Sequence, residues 1–89
     1  MDGTTLAERD KAHSFHPFTN LEALERDGPL VIVEGRGVRV RDDQGRWYLE
    51  GMAGLWCTAL GWGEERLVEA AASQMRRLAF FHGFNGRAH

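Results

Sequence analysis

Val38-Arg39-Val40-Arg41-Asp42-Asp43-Gln44-Gly45-Arg46-Trp47-Tyr48-Leu49-Glu50 is the stretch that decides the fold. Its first four residues alternate apolar and charged, a period of two that sets the valines on one strand face and the arginines on the other. Asp42-Asp43-Gln44-Gly45 follows as a hairpin turn, with Gly45 suited to the positive φ that such turns use. Arg46 to Glu50 returns as a second strand, with Trp47 and Leu49 sharing a face. Upstream, Leu30 to Val33 is a β-branched apolar run that reads as a buried strand. Gly35 and Gly37 bracket the turn between it and Val38. The pattern predicts a three-stranded antiparallel meander.

Toward the N-terminus, residues 1–13 form a polar arm without a core pattern. Pro17 pushes His16 into an extended conformation. Thr19 or Asn20 can cap a short helix through Leu21, Leu24 and Glu25, which Gly28-Pro29 ends. Toward the C-terminus, Gly51 to Gly63 interleaves glycines with Met52, Leu55, Trp56, Leu60 and Trp62. That stretch is too rich in glycine for a stable helix and too apolar for a solvated loop. Glu64 to Leu78 then reads as an amphipathic helix, with Leu67, Val68, Ala71, Ala72, Met75 and Leu78 as its stripe. Glu64 and Glu65 at its start and Arg76 and Arg77 at its end suit the helix dipole. The fold class is α+β: a short helix, the meander, a glycine-rich loop and an amphipathic helix. The domain reading is the arm at 1–13 and one segment at 14–89.

Eighty-nine residues suffice for one small domain with a marginal core. One helix and three short strands cannot cover the glycine–tryptophan segment together with Phe80, Phe81 and Phe84. Apolar surface of that extent marks an interface, so the chain reads as a piece of a larger protein or as a tight oligomer. The balance of 43 % hydrophobic and 27 % charged residues with net charge −2 lacks the basic excess of a nucleic-acid or membrane-surface binder. Cys57 is the single cysteine, so an internal disulfide framework is excluded. A polar first stretch and the lack of an apolar run of membrane-spanning length predict a cytoplasmic protein.

Each candidate for chemistry stands beside a plainer reading. His13-x-x-His16 with His82 and His89 could ligate a metal, but their flanks lack the cysteines and carboxylates that give such spacing meaning; hydrogen-bonding histidines and no metal site are expected. Gly35-Arg36-Gly37 precedes no helix, and Glu64 and Glu65 would repel an anion after Gly61-Trp62-Gly63, so both read as turns. Arg39, Arg41 and Arg46 near Trp47 and Tyr48 could form an oligonucleotide platform, but Asp42, Asp43 and Glu50 make a solvated sheet face the better reading. Cys57 has no base or orienting group beside it and reads as a small buried thiol. Trp56, with Gly54 and Leu55, is the most informative position, where core packing and the wall of a ligand pocket both remain open.

The ordered series His16-Pro17-Phe18-Thr19, Gly35-x-Gly37-x-x-Val40, Asp42-x-x-Gly45-Arg46-x-Tyr48-Leu49-x-Gly51, Gly54-Leu55-Trp56-Cys57, Gly61-Trp62-Gly63, Ala70-Ala71-x-x-Gln74-Met75 and Phe84 resembles the opening of class III pyridoxal-phosphate-dependent aminotransferases. Gly-Leu-Trp-Cys resembles most closely the omega-amino-acid and amine:pyruvate transaminases of that class. The resemblance implies a fold type I homodimer that moves an amino group from an amine or omega-amino acid to a keto acid such as pyruvate. It implies a large domain, beyond this segment, that holds pyridoxal 5'-phosphate. No catalytic residue is assigned within the 89 residues, because Lys11, the only lysine, does not match the one that binds the cofactor; the segment alone is expected to be inactive. Carried over by the resemblance are Leu55 and Trp56 as a wall of the substrate site, Phe18 at its entrance and Phe84 from across the dimer. Asn85 stands where relatives carry a second aromatic. The rival reading from the residues alone is a stand-alone interaction module that oligomerises through its aromatic segments.

Overall fold

In the computed structural model residues 3–89 are described; Met1 and Asp2, the start of the polar arm, lie outside the described residues. The elements in chain order are α1 (Leu6–His13), α2 (Leu21–Asp27), β1 (Ile32–Arg36), β2 (Arg39–Asp42), β3 (Trp47–Leu49), α3 (Ala53–Trp56), α4 (Glu65–Arg77) and a 3₁₀ turn, η1 (Phe84–Gly86). Two compact units are formed by the described residues, one of 3–34 with Arg39–Leu49, the other of Gly35–Val38 with Glu50–His89. No described helix is long and apolar enough to cross a membrane.

The polar arm is not irregular. Thr5 and Glu8 form a capping box, in which the Thr5 hydroxyl accepts from the Glu8 N–H and the Glu8 carboxylate accepts from the Thr5 N–H. Those reciprocal bonds start α1, which buries no side chain. Lys11 donates from Nζ to the Glu25 carbonyl at 2.8 Å. His16 Nε2 lies 2.6 Å from Asp10 Oδ2. Asn20, rather than Thr19, caps α2 by accepting from the Ala23 N–H at 3.0 Å, and Gly28 closes it at φ 77°.

The three strands form one sheet in the order β1-β2-β3. Antiparallel pairing of β2 with β3 sets Arg39 opposite Leu49, Val40 opposite Tyr48 and Arg41 opposite Trp47, with Gly45 in the turn at φ 85°. The first strand starts later than Leu30 and runs on through Glu34 and Gly35. The expectation that Leu30 to Val33 is buried is corrected: Leu30, Ile32 and Val33 are exposed. Among the described residues Val40, at 5 % exposure, is the buried hydrophobic one.

Asp42 is the organising group of this unit. Its side chain is fully buried and accepts from the Gln44 N–H at 3.0 Å, the Arg46 N–H at 2.8 Å, Arg46 Nε at 2.8 Å and the Tyr48 hydroxyl at 2.8 Å. Burial pushes the carboxyl up, but the four donors outweigh it and hold the pKa at about 2. One carboxylate thereby shapes the hairpin turn and fixes the start of the returning strand. The expected solvated arginine face is also more committed than its composition suggests. Arg41 pairs with Glu34 at 2.7 Å, and Arg46 with Asp42.

α4 forms where the sequence places it, but its apolar stripe is uncovered. Leu67, Val68 and Met75 are all exposed, and so is Leu78 at its end. The same holds for Leu55, Trp56, Leu60, Phe80 and Phe84. This second unit owes its order to backbone bonds and glycine contacts more than to a core.

Candidate functional site

The site centres on the turn after β3. Glu50 follows the last residue of that strand, and its carboxylate is split between two backbone donors: Oε1 accepts from the Met52 N–H at 3.1 Å and Oε2 from the Gly54 N–H at 3.0 Å. Held from that side, the chain winds through a single turn of left-handed sense. Ala53, Gly54, Leu55 and Trp56 take φ of 50°, 61°, 63° and 68°. The Trp56 N–H closes onto the Met52 carbonyl at 2.9 Å, while the N–H groups of Cys57 and Thr58 both reach the Ala53 carbonyl at 2.9 Å. Gly54 takes this backbone freely; each of the other three crowds its Cβ against a carbonyl at a cost of roughly 1–2 kcal/mol. Strain of this kind, held by surrounding bonds, concentrates at functional sites.

The turn carries Leu55 and Trp56 outward, at 58 % and 87 % exposure. It also turns Cys57 out, so the expectation of a buried thiol is corrected: Cys57 is exposed and donates to the Leu55 carbonyl at 3.2 Å. A Cβ added to Gly54 would stand 3.4 Å from Trp62 Cζ2 and 3.6 Å from Thr58 Oγ1. A cavity of about 360 Å³ lies alongside, lined by Glu50, Ala53, Thr58, Leu60 and Trp62 among others.

The two GxG stretches explain how Trp62 is held. Gly37 and Trp62 form an antiparallel bridge, each donating its N–H to the other's carbonyl at 2.9 Å. A Cβ on Gly61 would meet the Gly37 oxygen at 2.8 Å, and one on Gly35 would meet Trp62 Cδ1 at 2.6 Å. The glycines are therefore there for close backbone approach as well as for turning. Sequence spacing alone does not reveal that the two stretches meet each other.

Phe84 lies in the same unit, 75 % exposed, at the start of η1. Its N–H donates to His82 Nδ1 at 3.2 Å, its ring is 5.3 Å from the His82 ring, and Phe81 stacks on His82 at 4.6 Å. Asn85 takes φ 57°, a left-handed conformation that asparagine tolerates better than an aromatic does. Phe18 belongs to the other unit, fully exposed at φ 51°. Leu55 and Trp56 are thus brought together on one turn. No three of His, Cys, Asp and Glu converge as a metal cluster among the described residues. The sequence reading missed Glu50; its one signal was an acid placed between a strand and a glycine-rich turn that needs backbone acceptors.

No family model matches the chain. It is 43 % identical over 77 residues to a putrescine–pyruvate aminotransferase of Pseudomonas aeruginosa, covering 86 % of this chain and 17 % of that protein. An omega transaminase of Pseudomonas jessenii, solved in complex with PMP, superposes with a TM-score of 0.87 at 44 % identity, over 97 % of this chain and 19 % of that one. A thermostable omega transaminase variant engineered for asymmetric synthesis of enantiopure bulky amines superposes equally well, with a TM-score of 0.87 at 45 % identity over 96 % of this chain and 19 % of that one. That variant carries tryptophan-to-methionine, phenylalanine-to-leucine and arginine-to-leucine substitutions. The chain spans about a fifth of the length of these proteins. By sequence and by fold, it belongs to the omega-transaminase branch of the class III pyridoxal-phosphate-dependent aminotransferases, as a segment of that length.

Proposed function

We propose that this chain is the N-terminal part of a fold type I, homodimeric transaminase that moves an amino group from an amine or omega-amino acid to a keto acid such as pyruvate. In it Leu55 and Trp56 wall the substrate site, Phe18 stands at the entrance, and Phe84 completes the site of the second subunit. The observation that carries this assignment is a spacing. The tryptophan and phenylalanine replaced in the bulky-amine variant are separated by the same number of residues as Trp56 and Phe84. Their outward display on this chain suits a wall that is completed by surfaces from elsewhere.

The segment supplies shape rather than cofactor anchoring. Its one lysine, Lys11, is held by Glu25 at the carbonyl and, at 3.4 Å, the carboxylate. Pyridoxal phosphate, when bound by the rest of the enzyme, supplies the electron sink for amino-group transfer. Trp56 restricts the substrate side chain, Leu55 extends the same apolar surface, and both exclude water from the bond being broken. The segment alone is inactive on this reading. The exposed stripe of α4 and the terminal aromatics are its seats for the remaining domain and the second subunit, a burial on the scale of obligate interfaces.

The test is to express the reading frame through and beyond His89, and to assay amine:pyruvate transfer with a small and a bulky amine. Activity in the longer protein, with Trp56→Gly moving preference toward the bulky amine, is the expected result. An unchanged substrate profile would remove Trp56 from the wall. A frame that stops at His89 would overturn the enzyme reading in favour of a self-associating module, which sedimentation of the 89-residue chain would then reveal.

A further inference from the structure

The substrate-facing residues of the turn do not hold themselves in place. Leu55 and Trp56 are exposed and sit on a backbone that L-residues disfavour, so something other than side-chain packing must select it. Within the turn, the Trp56, Cys57 and Thr58 N–H groups bond to the carbonyls of Met52 and Ala53. The N–H groups of Met52 and Gly54, at the start of the turn, bond to one side chain, that of Glu50. We infer that Glu50 is the positioning residue of the substrate wall: its carboxylate sets the left-handed turn through two backbone amides and so fixes where Leu55 and Trp56 stand.

Two N–H donors converge on the two oxygens of one group, so both oxygens must accept. A carboxylate satisfies both. A carboxamide of the same shape satisfies one and turns its NH₂ on the other, donor against donor. Glu50→Gln therefore removes the hydrogen-bonding logic while leaving the volume unchanged, and Glu50→Ala removes both. Gly54 completes the device, because its N–H is the inner of the two donors and its φ of 61° is free of strain only in glycine.

This inference rests on the reading of Trp56 as substrate wall, and the experiment separates the two. In the complete enzyme, the ratio of kcat/KM for a bulky amine to that for a small one is measured for the parent, Glu50→Gln, Glu50→Ala, Trp56→Gly and the Glu50→Ala/Trp56→Gly pair. Loss of charge-assisted bonds to the turn should change the ratio by about tenfold in both Glu50 variants. The kcat for the small amine should stay within about twofold, since no reacting atom is touched. In the pair, the Glu50 effect should shrink to the part that Leu55 carries, because the tryptophan it positions is gone. A crystal structure of Glu50→Gln should show residues 53–56 leaving the left-handed region. Equal loss for both amines, or additivity in the pair, would make Glu50 a general stabiliser and overturn the inference. An unchanged profile in Trp56→Gly refutes the wall reading instead, and the Glu50→Gln structure then decides the role of Glu50: a turn retained at positive φ overturns it, a turn released upholds it.

Discussion

Gly61→Ala tests the physical account of the second unit most directly. The substitution asks alanine to adopt φ of 90°, at a cost of about 1–2 kcal/mol, since an L-residue there crowds its own backbone. It also drives a methyl group to 2.8 Å from the Gly37 carbonyl oxygen, with the Gly37 carbonyl carbon and Cα both at 3.2 Å. Those are backbone atoms and cannot swing aside as a side-chain tip would. Relief comes only by opening the Gly37–Trp62 bridge, whose two N–H···O bonds at 2.9 Å contribute about 1 kcal/mol each. Against this stands the reduced freedom of the unfolded chain, worth about 0.4–1 kcal/mol in favour of alanine. The net is a local destabilisation of about 2–3.6 kcal/mol, or roughly 30- to 440-fold at 1.36 kcal/mol per factor of ten. Amide hydrogen exchange in the complete enzyme reads this as that much faster exchange at Gly37 and Trp62. Gly63→Ala is the control, because Gly63 has a comparable φ of 74° but meets only the Gly35 oxygen at 3.9 Å. Equal exchange in the two variants, or a change of less than about threefold in Gly61→Ala, would refute the close-approach argument.

Acid should release Asp42. Its folded pKa of about 2 lies below the ordinary 3.8, so its contribution is present in full at neutral pH and fades as pH falls from about 4 toward 2. Asp42→Asn should remove that part of the acid transition followed by circular dichroism, and Tyr48→Phe, which takes away one donor, should move it to higher pH. Asn20→Ala should cost about 1 kcal/mol through loss of the α2 cap, read as faster exchange at the Ala23 amide. On the proposal that the remaining domain and the second subunit cover the stripe of α4 and the aromatics at 80–84, which are exposed here, the isolated 89-residue chain should enhance the fluorescence of an apolar dye such as ANS and the complete enzyme should not.

The hairpin was legible because alternation and a glycine turn are local signals, and β2, the turn and β3 fall within one or two residues of their expected places. So were α2, with its Asn20 cap, and α4, whose apolar period and terminal charges lie within one helical span. Burial was not legible. Leu30 to Val33 and the α4 stripe look like core in sequence, yet a pattern records only that a face is destined for cover, not which chain covers it. Cys57 was misjudged for a related reason: a run of four positive φ values reverses which side a residue faces, and no side-chain periodicity reports that. α1 was missed because its capping box sits on a helix too polar to show a stripe. At the site, Trp56 stood out by composition, whereas Glu50 and the Gly37–Trp62 bridge act through backbone groups that every residue shares.

The left-handed turn at 53–56 has a consequence for how specificity changes over evolutionary time. At most sites a large-to-small replacement leaves a void and erodes stability, so new substrate ranges are reached through compensating changes elsewhere. At Trp56 the sign is different. The indole is 87 % exposed on this segment and its backbone, at φ 68°, carries strain that glycine would relieve. Relief of about 1–2 kcal/mol offsets the roughly 0.5–1 kcal/mol of extra chain entropy that glycine must surrender on folding. On the proposal that Trp56 walls the substrate site, widening the wall and relaxing the main chain are then the same step, and a broader range of amines lies downhill from the present sequence.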